Sequence, residues 1–100
     1  MTATPDLLTA TLDVIRSRRA RARERGVLLV GVVGSVARGE AGPASDVDVV
    51  YEVAGRPTLF DLGELSMDLQ DDLGREIDLI DLKTVKPRLR EAMERDLVRA

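Results

Sequence analysis

Residues 27–33 read VLLVGVV, a run that is almost wholly apolar and rich in β-branched side chains. Such a run is typical of a β-strand that is covered on both faces, because neither of its two alternating sets of side chains suits contact with water. The run therefore predicts a central strand with other elements packed around it. A chain of 100 residues has room for one core of this kind, so we expect a single domain over residues 1–100.

The first half of the chain predicts a helix, this strand and a second strand. The helix is predicted to run from Thr4 to about Arg25, with Thr4 as its N-cap, Asp6 as an acid in its first turn and Gly26 as its C-cap. After the strand, residues 36–40 predict only a brief helix. Apolar and polar side chains then alternate over residues 46–53, which predicts a second strand with one face toward the core.

The second half predicts a helix, a strand and a final helix. Thr58 and Asp61 have the spacing of a capping box, and Gly74 is placed to end the helix that they open. Its predicted buried stripe consists of five leucines, Leu59, Leu62, Leu65, Leu69 and Leu73. A third strand is predicted over residues 76–82, followed by a helix from about Pro87. This order of elements predicts a mixed α/β or α+β domain.

Composition narrows the chemistry that is available to this chain. It contains no Cys and no His, which excludes disulfides, thiolate or imidazole metal sites and an imidazole base. Its formal net charge of −3 argues against a general nucleic-acid binder, so we expect no direct nucleic-acid contact. The chain has no membrane-length apolar run and no signal-like start, and we expect a cytoplasmic protein without membrane contact.

Two other features allow more than one interpretation. Six of the thirteen Arg residues lie between Arg16 and Arg25, and no aromatic side chains are interleaved with them for stacking on bases. We interpret this arginine cluster as a solvated helix face, with a surface for an acidic partner as the alternative. Tyr51 shares a strand face with three valines and is predicted to be a core residue, with self-modification as the alternative.

The residues suited to chemistry stand at the ends of the predicted strands. Gly34 and Ser35 end the first strand, and after ten intervening residues Asp46 and Asp48 open the second. Glycine lets a phosphate approach the backbone closely, and amides at the start of a helix can hold phosphate oxygens together with a serine hydroxyl. The two carboxylates project on one side of the strand at a spacing that suits Mg²⁺. Asp78 in the third strand is the candidate for a third carboxylate.

Each motif alone also has a purely structural reading, as a turn or as a strand-starting cap. In this order and spacing, however, they resemble the signature of the polymerase β nucleotidyltransferase superfamily, which is Gly-Ser, ten residues, Asp-x-Asp and a later Asp. The runs GSVARGEAGPASDVDVV and EIDLIDL more narrowly resemble the minimal nucleotidyltransferase (MNT) antitoxins of HEPN/MNT toxin–antitoxin pairs. This resemblance extends over about residues 27–82 and loosely over the final helix.

The resemblance implies a polymerase β-like fold, a short mixed sheet flanked by helices that forms one minimal nucleotidyltransferase domain. It implies that ATP is the co-substrate and Mg²⁺ the cofactor. The residues implied to bind the metal and carry catalysis are three carboxylates, Asp46, Asp48 and Asp78. Gly34 and Ser35 would hold the β and γ phosphates of ATP. Arg38 lies one turn beyond Ser35 and could reach a phosphate, with an ordinary solvated arginine as the alternative.

The activity implied by the resemblance is the transfer of AMP from ATP to a tyrosine hydroxyl of a cognate HEPN RNase toxin. The chain itself would be the antitoxin, because HEPN RNases need a His that it lacks. Two alternatives stay open. The chain could be an antitoxin that blocks its partner stoichiometrically without catalysis, or a nucleotidyltransferase that acts on a small acceptor held by a separate substrate-binding subunit.

Overall fold

A computed structural model describes residues 6–100, which form four helices and four strands. In that part of the chain, no helix is both long and apolar enough to cross a membrane. In chain order the elements are α1 (Leu7–Glu24), β1 (Val27–Val33), α2 (Gly34–Ala37), β2 (Val47–Val53), α3 (Leu59–Leu73), β3 (Ile77–Asp81), α4 (Pro87–Asp96) and β4 (Val98–Arg99).

The strands form one mixed sheet in the order β3-β2-β1-β4. β1 pairs antiparallel with β2 and β4, and β2 pairs parallel with β3. The predicted α+β class, with a short mixed sheet flanked by helices, is therefore confirmed. The two-residue strand β4 was not predicted, because it is too short to carry a pattern. Gly31 admits this strand, since a Cβ at that position would lie 2.9 Å from the Cα of Arg99.

The main core lies on the face of the sheet that α1 and α3 cover. Ile15 and Leu69 contribute from the helices, and Val27, Val32 and Val49 contribute from the strands. The other face of the sheet is also partly covered, with Val33 and Val50 buried outside this core cluster. The prediction that the first strand is covered on both faces is thus confirmed.

A bulge at Val30 changes which way the end of β1 faces. The register pairs Leu29 with Tyr51 and Gly31 with Val50, so Val30 is an extra residue on β1. One extra residue reverses the facing of every side chain that follows it in the strand. As a result Val32 faces the main core, while Val33, the last residue of β1, lies beside Asp48 on the opposite face.

The start of α1 differs from the prediction. Asp6 is the N-cap residue, because its Oδ1 accepts a hydrogen bond of 2.7 Å from the backbone N–H of Thr9. Asp6 was expected inside the first turn, and the predicted cap, Thr4, lies outside the described residues. At the other end the helix stops one residue before Arg25, and Gly26 follows with φ of +82°. The brief helix α2 also begins earlier than predicted, directly at the end of β1.

The capping box of α3 and its glycine end are confirmed. The Thr58 hydroxyl accepts from the backbone N–H of Asp61, and the backbone N–H of Thr58 donates to the carboxylate of Asp61. Gly74 follows the helix with φ of +65°. The predicted burial of Leu59 is wrong, since this residue is 87% exposed. It is the first helical residue and lies at the edge of the stripe. The other predicted leucines are buried or half-buried, namely Leu62, Leu65, Leu69 and Leu73.

Part of the arginine cluster fastens α1 to α3. Arg18 donates to both carboxylate oxygens of Asp72, from Nε at 2.7 Å and from Nη2 at 2.9 Å. Arg25, directly after α1, forms an ion pair with Glu64 of α3. The interpretation of the cluster as one solvated face is therefore wrong for these two side chains. Tyr51 packs half-buried against the main core, in line with the prediction.

Candidate functional site

The Gly-Ser bend lies directly against Asp48. Gly34 has φ of +75°, and a Cβ built on it would lie 2.5 Å from Oδ2 of Asp48. Side chains other than glycine rarely adopt this φ, and no side chain fits the gap unless the carboxylate moves. The bend and the carboxylate that the sequence places fourteen residues apart are thus in contact in the fold.

Asp48 and Asp78 are register partners on two adjacent parallel strands. Burial raises the pKa of Asp48, and the charges of Asp78 and Asp46 together with a hydrogen bond to Asp78 raise it further. The positive charge of Arg38 offsets part of this effect. Crowded carboxylates resist ionisation until a positive charge neutralises them. The register therefore places Asp78, the candidate for the third carboxylate, next to Asp48.

Asp46 lies just before β2, at the end of a loop that Arg75 holds. In the loop, the Gly42 N–H donates to Oγ of Ser45 at 2.8 Å. Nη1 of Arg75 donates to the Gly42 carbonyl at 2.8 Å and to the Ser45 carbonyl at 3.2 Å. Arg75 therefore positions the segment that leads into Asp46. Sequence reasoning missed this residue, because a lone arginine before a strand carries no local signal.

The donor set suits Mg²⁺, which prefers carboxylate, phosphate and water oxygens. Among residues 6–100, no three acidic side chains are close enough together to enclose a metal ion. In the absence of metal, the fold already places Asp48 and Asp78 side by side. The charge of Asp46 is close enough to raise the pKa of Asp48. A carboxylate pair beside an open glycine bend leaves room for phosphate and water to complete the coordination. Metal binding by all three carboxylates remains a prediction.

Two carboxylates hold Arg38 at the edge of the site. Its Nε donates to Glu40 at 3.0 Å and its Nη1 donates to Asp96, the last residue of α4, at 2.7 Å. The guanidinium is thus neither free nor merely solvated, and its predicted contact with a phosphate remains a prediction. The Asp96 contact was missed because it joins residues 58 positions apart. Glu40 had no assigned role in the sequence and here anchors this arginine.

A groove of about 520 Å³ lies farther along the sheet, and its lining includes neither Asp48 nor Asp78. Side chains alternate along a strand, so Val50 and Glu52 of β2 share the face of Asp48, and both line the groove. Its other walls come from the end of β3 and from α4, and its rim carries charges of both signs, from Glu52, Lys83, Arg90, Glu94 and Arg99. The groove is open to solvent along one side.

Comparison with known proteins identifies a matching family and several similar proteins. Residues 14–99 match the family model described as nucleotidyltransferase domain. Protein adenylyltransferase MntA of Thermococcus cleftensis is 34% identical over 87 residues, which cover 86% of this chain and 88% of that protein. A solved structure assigned as a minimal nucleotidyltransferase has a TM-score of 0.77 and 35% identity, and the match covers 97% of this chain and 98% of the other.

A crystal structure of a toxin–antitoxin with AMP-PNP shares the fold at a TM-score of 0.66 and 20% identity. That match covers 91% of this chain and 69% of the other. The family match and the solved structure at 35% identity together show that this chain has a minimal nucleotidyltransferase fold.

Proposed function

The chain belongs to the nucleotidyltransferase domain family, and we propose that it transfers AMP from ATP to a tyrosine hydroxyl of a partner toxin. Its similarity to a protein adenylyltransferase supports a protein as the acceptor. The toxin–antitoxin assembly of a structural neighbour supports a toxin as that protein. We take the toxin to be an HEPN RNase, as the sequence motifs imply, and this chain to be its antitoxin.

The observation that carries the proposal is the contact between the Gly34 bend and Asp48, which is itself paired with Asp78. Phosphates on the bend would lie within reach of both carboxylates. Mg²⁺, when bound by Asp46, Asp48 and Asp78, would neutralise charge on the phosphate and bridging oxygens. The backbone amides that follow Gly34 and the Ser35 hydroxyl would hold the β and γ phosphates.

In the proposed reaction, the tyrosine oxygen attacks the α-phosphorus in line. A new O–P bond forms, the bond from the α-phosphorus to the bridging oxygen breaks, and pyrophosphate leaves. The proton of the tyrosine hydroxyl passes to the carboxylate of Asp78, which is the exposed member of the pair. This exposure supports an acceptor that approaches from solvent rather than one enclosed by the chain.

The groove on the same face of the sheet as Asp48 supports a polypeptide acceptor over a small one. It is open, and charges of both signs line it around an apolar floor that includes Val50 and Leu82. Sites for small molecules usually bury most of the ligand surface, which an open groove does not do. A loop of a partner protein could lie along it and present a tyrosine to the α-phosphate.

The direct test uses ATP labelled at the α-phosphate, the intact chain and a purified HEPN RNase encoded beside it. We expect label on a tyrosine of the RNase and loss of RNase activity. The chain has a single Tyr, so a Tyr51→Phe variant removes self-labelling and should still label the partner.

Two results would contradict the proposal. If an Asp46→Asn, Asp48→Asn double variant silences the RNase as well as the parent does, the chain is a stoichiometric binder. If label enters a small molecule but never the RNase, the acceptor class is wrong. When AMP is transferred, label at the γ-phosphate should leave with pyrophosphate, which separates AMP transfer from phosphoryl transfer.

Asp96 is expected to affect nucleotide binding through Arg38. An Asp96→Asn variant keeps the size of the side chain but weakens one of the two bonds that orient the guanidinium. Because the pair is partly exposed, we expect a modest effect, a rise of about threefold in the KM for ATP with little change in kcat. Steady-state kinetics would check this, with Asp13→Asn on exposed α1 as the control. A fall in KM would mean that Asp96 competes with the nucleotide for Arg38.

A further inference from the structure

One face of α3 leaves large apolar side chains in solvent. Leu59 is 87% exposed, Phe60 is 86% exposed and Met67 is 64% exposed. At 3.6 residues per turn these three side chains lie on one stripe with Gly63 at its centre, turned away from the leucines that face the core. We call these four residues the Phe60 stripe. Phe60 is the only Phe of the chain, and this large apolar side chain lies on the surface and not in the core.

The exposure is not a loose helix end. The capping box of Thr58 and Asp61 closes the first turn of α3, and the ion pair of Arg18 with Asp72 fastens its last turn to α1. The Phe60 stripe is therefore held in a defined geometry. An exposed apolar patch on a rigid element is typical of a surface that binds another macromolecule.

The pattern of the stripe is self-complementary. Leu59 lies four residues before Gly63 and Met67 lies four residues after it. We propose that the Phe60 stripe binds the Phe60 stripe of a second copy of this chain. An antiparallel pair of α3 helices with its two-fold axis at Gly63 places Leu59 of each copy against Met67 of the other, as an isologous interface requires.

Nothing within residues 6–100 requires a glycine at position 63. A glycine inside a helix is destabilising relative to alanine. A Cβ at position 63 would meet no atom of the described residues within 4 Å, so the glycine relieves no crowding there. At a two-fold axis, the missing side chain would let the two helix backbones approach closely.

One pair of opposite charges also matches the antiparallel arrangement of two copies. Arg56 precedes α3 at one end of the stripe, and Asp71 lies near the other end. Both residues are exposed, and the ion pairs of residues 6–100 include neither of them. The antiparallel arrangement brings Arg56 of one copy toward Asp71 of the other, twice per dimer.

This interface does not compete with the proposed function. The Phe60 stripe lies on the outer side of the helix layer that covers the main core, whereas Asp48 and the groove lined by Val50 lie on the other face of the sheet. A dimer would therefore leave both nucleotide sites open to partner toxins.

Cross-linking provides a sharp test of the register, because the full chain has no Cys. In a mixture of a Leu59→Cys chain and a Met67→Cys chain, mild oxidation is expected to join the two variants to each other. Each variant alone should cross-link much less, and an Arg88→Cys variant on exposed α4 serves as the background control. A mixture that forms no more cross-linked product than this control would overturn the proposed pairing.

Sedimentation equilibrium tests the association without a new thiol. The parent chain is expected to dimerise reversibly, and Phe60→Asp should weaken the dimer at least tenfold while its far-UV circular dichroism and its AMP transfer stay at parent levels. Arg56→Asp should weaken the dimer as well, and adding Asp71→Arg should restore it. A parent chain that is monomeric at every concentration would refute the proposal. So would a Phe60 stripe that becomes protected only by the toxin or only by phospholipid vesicles, since those are different occupants.

Discussion

Replacing Asp48 by Asn is expected to lower AMP transfer about 10³-fold and, at the same time, to make the metal-free protein more stable. The loss of activity follows because an amide cannot supply the negative charge that the proposed metal site needs beside the phosphates. Removal of a single group that stabilises transition-state charge commonly lowers a rate 10²- to 10³-fold. Asp48 contacts the bend and pairs with Asp78, so its loss should lie at the upper end of this range.

The gain in stability follows from the raised pKa of Asp48. A carboxyl whose pKa is higher in the folded state binds more protons there than in the unfolded state. The free energy of unfolding therefore falls as the pH rises from the ordinary pKa of 3.8 through the raised value. At neutral pH the free energy of unfolding of the parent is lowered by the full amount, whereas an uncharged Asn at this position causes no such loss.

Thermal unfolding without metal would check the second half of the prediction. The Tm of Asp48→Asn should exceed that of the parent at pH 7, and the difference should shrink as the pH falls toward 4. Mg²⁺ should raise the Tm of the parent more than that of the variant. The exposed Asp13→Asn change on α1 is the control. An Asp48→Asn protein that is less stable than the parent at pH 7 would show that this carboxylate is structural.

Replacing Gly34 by Ala is expected to lower AMP transfer about 10²-fold and to destabilise the fold by about 1–3 kcal/mol. Two physical causes act together. The φ of +75° disfavours any residue with a Cβ, and the new methyl would lie 2.5 Å from Oδ2 of Asp48. Either the bend or the carboxylate must move, and both belong to the proposed site.

A double-mutant cycle separates these causes. Adding Gly34→Ala to an Asp48→Ala background removes the crowding and leaves the φ strain, so the second substitution should be less destabilising there than in the parent. Gly74→Ala is the matched control, since Gly74 has φ of +65° and a Cβ on it would meet no atom of the part of the chain that the structure describes within 4 Å. That variant should lose stability but keep AMP transfer. If Gly34→Ala keeps full activity, the contact between bend and carboxylate is not needed for the reaction.

Local patterns were enough to predict most of the elements. Alternation over residues 46–53 marks β2, and the capping box with its closing glycine marks α3, because these signals depend on residues within a few positions of one another. The prediction that Leu59 is buried was wrong because burial depends on distant parts of the chain. Helical spacing tells which residues share a face, but it does not tell how far along the helix that face stays covered.

The amino-acid sequence by itself determined the identities of the candidate site residues, since a glycine bend and paired acids at strand ends are local and chemical signals. The tertiary structure alone decided how they meet. The bulge at Val30 sets the facing of the end of β1, and an apolar run carries no mark of it, because shifting such a run by one residue leaves its pattern unchanged. Strand register decides that Asp48 pairs with Asp78. Helix and loop placement decide that Asp96 binds Arg38 and that Arg75 binds the loop before Asp46. These are set by packing over the whole chain, which no short stretch of sequence encodes.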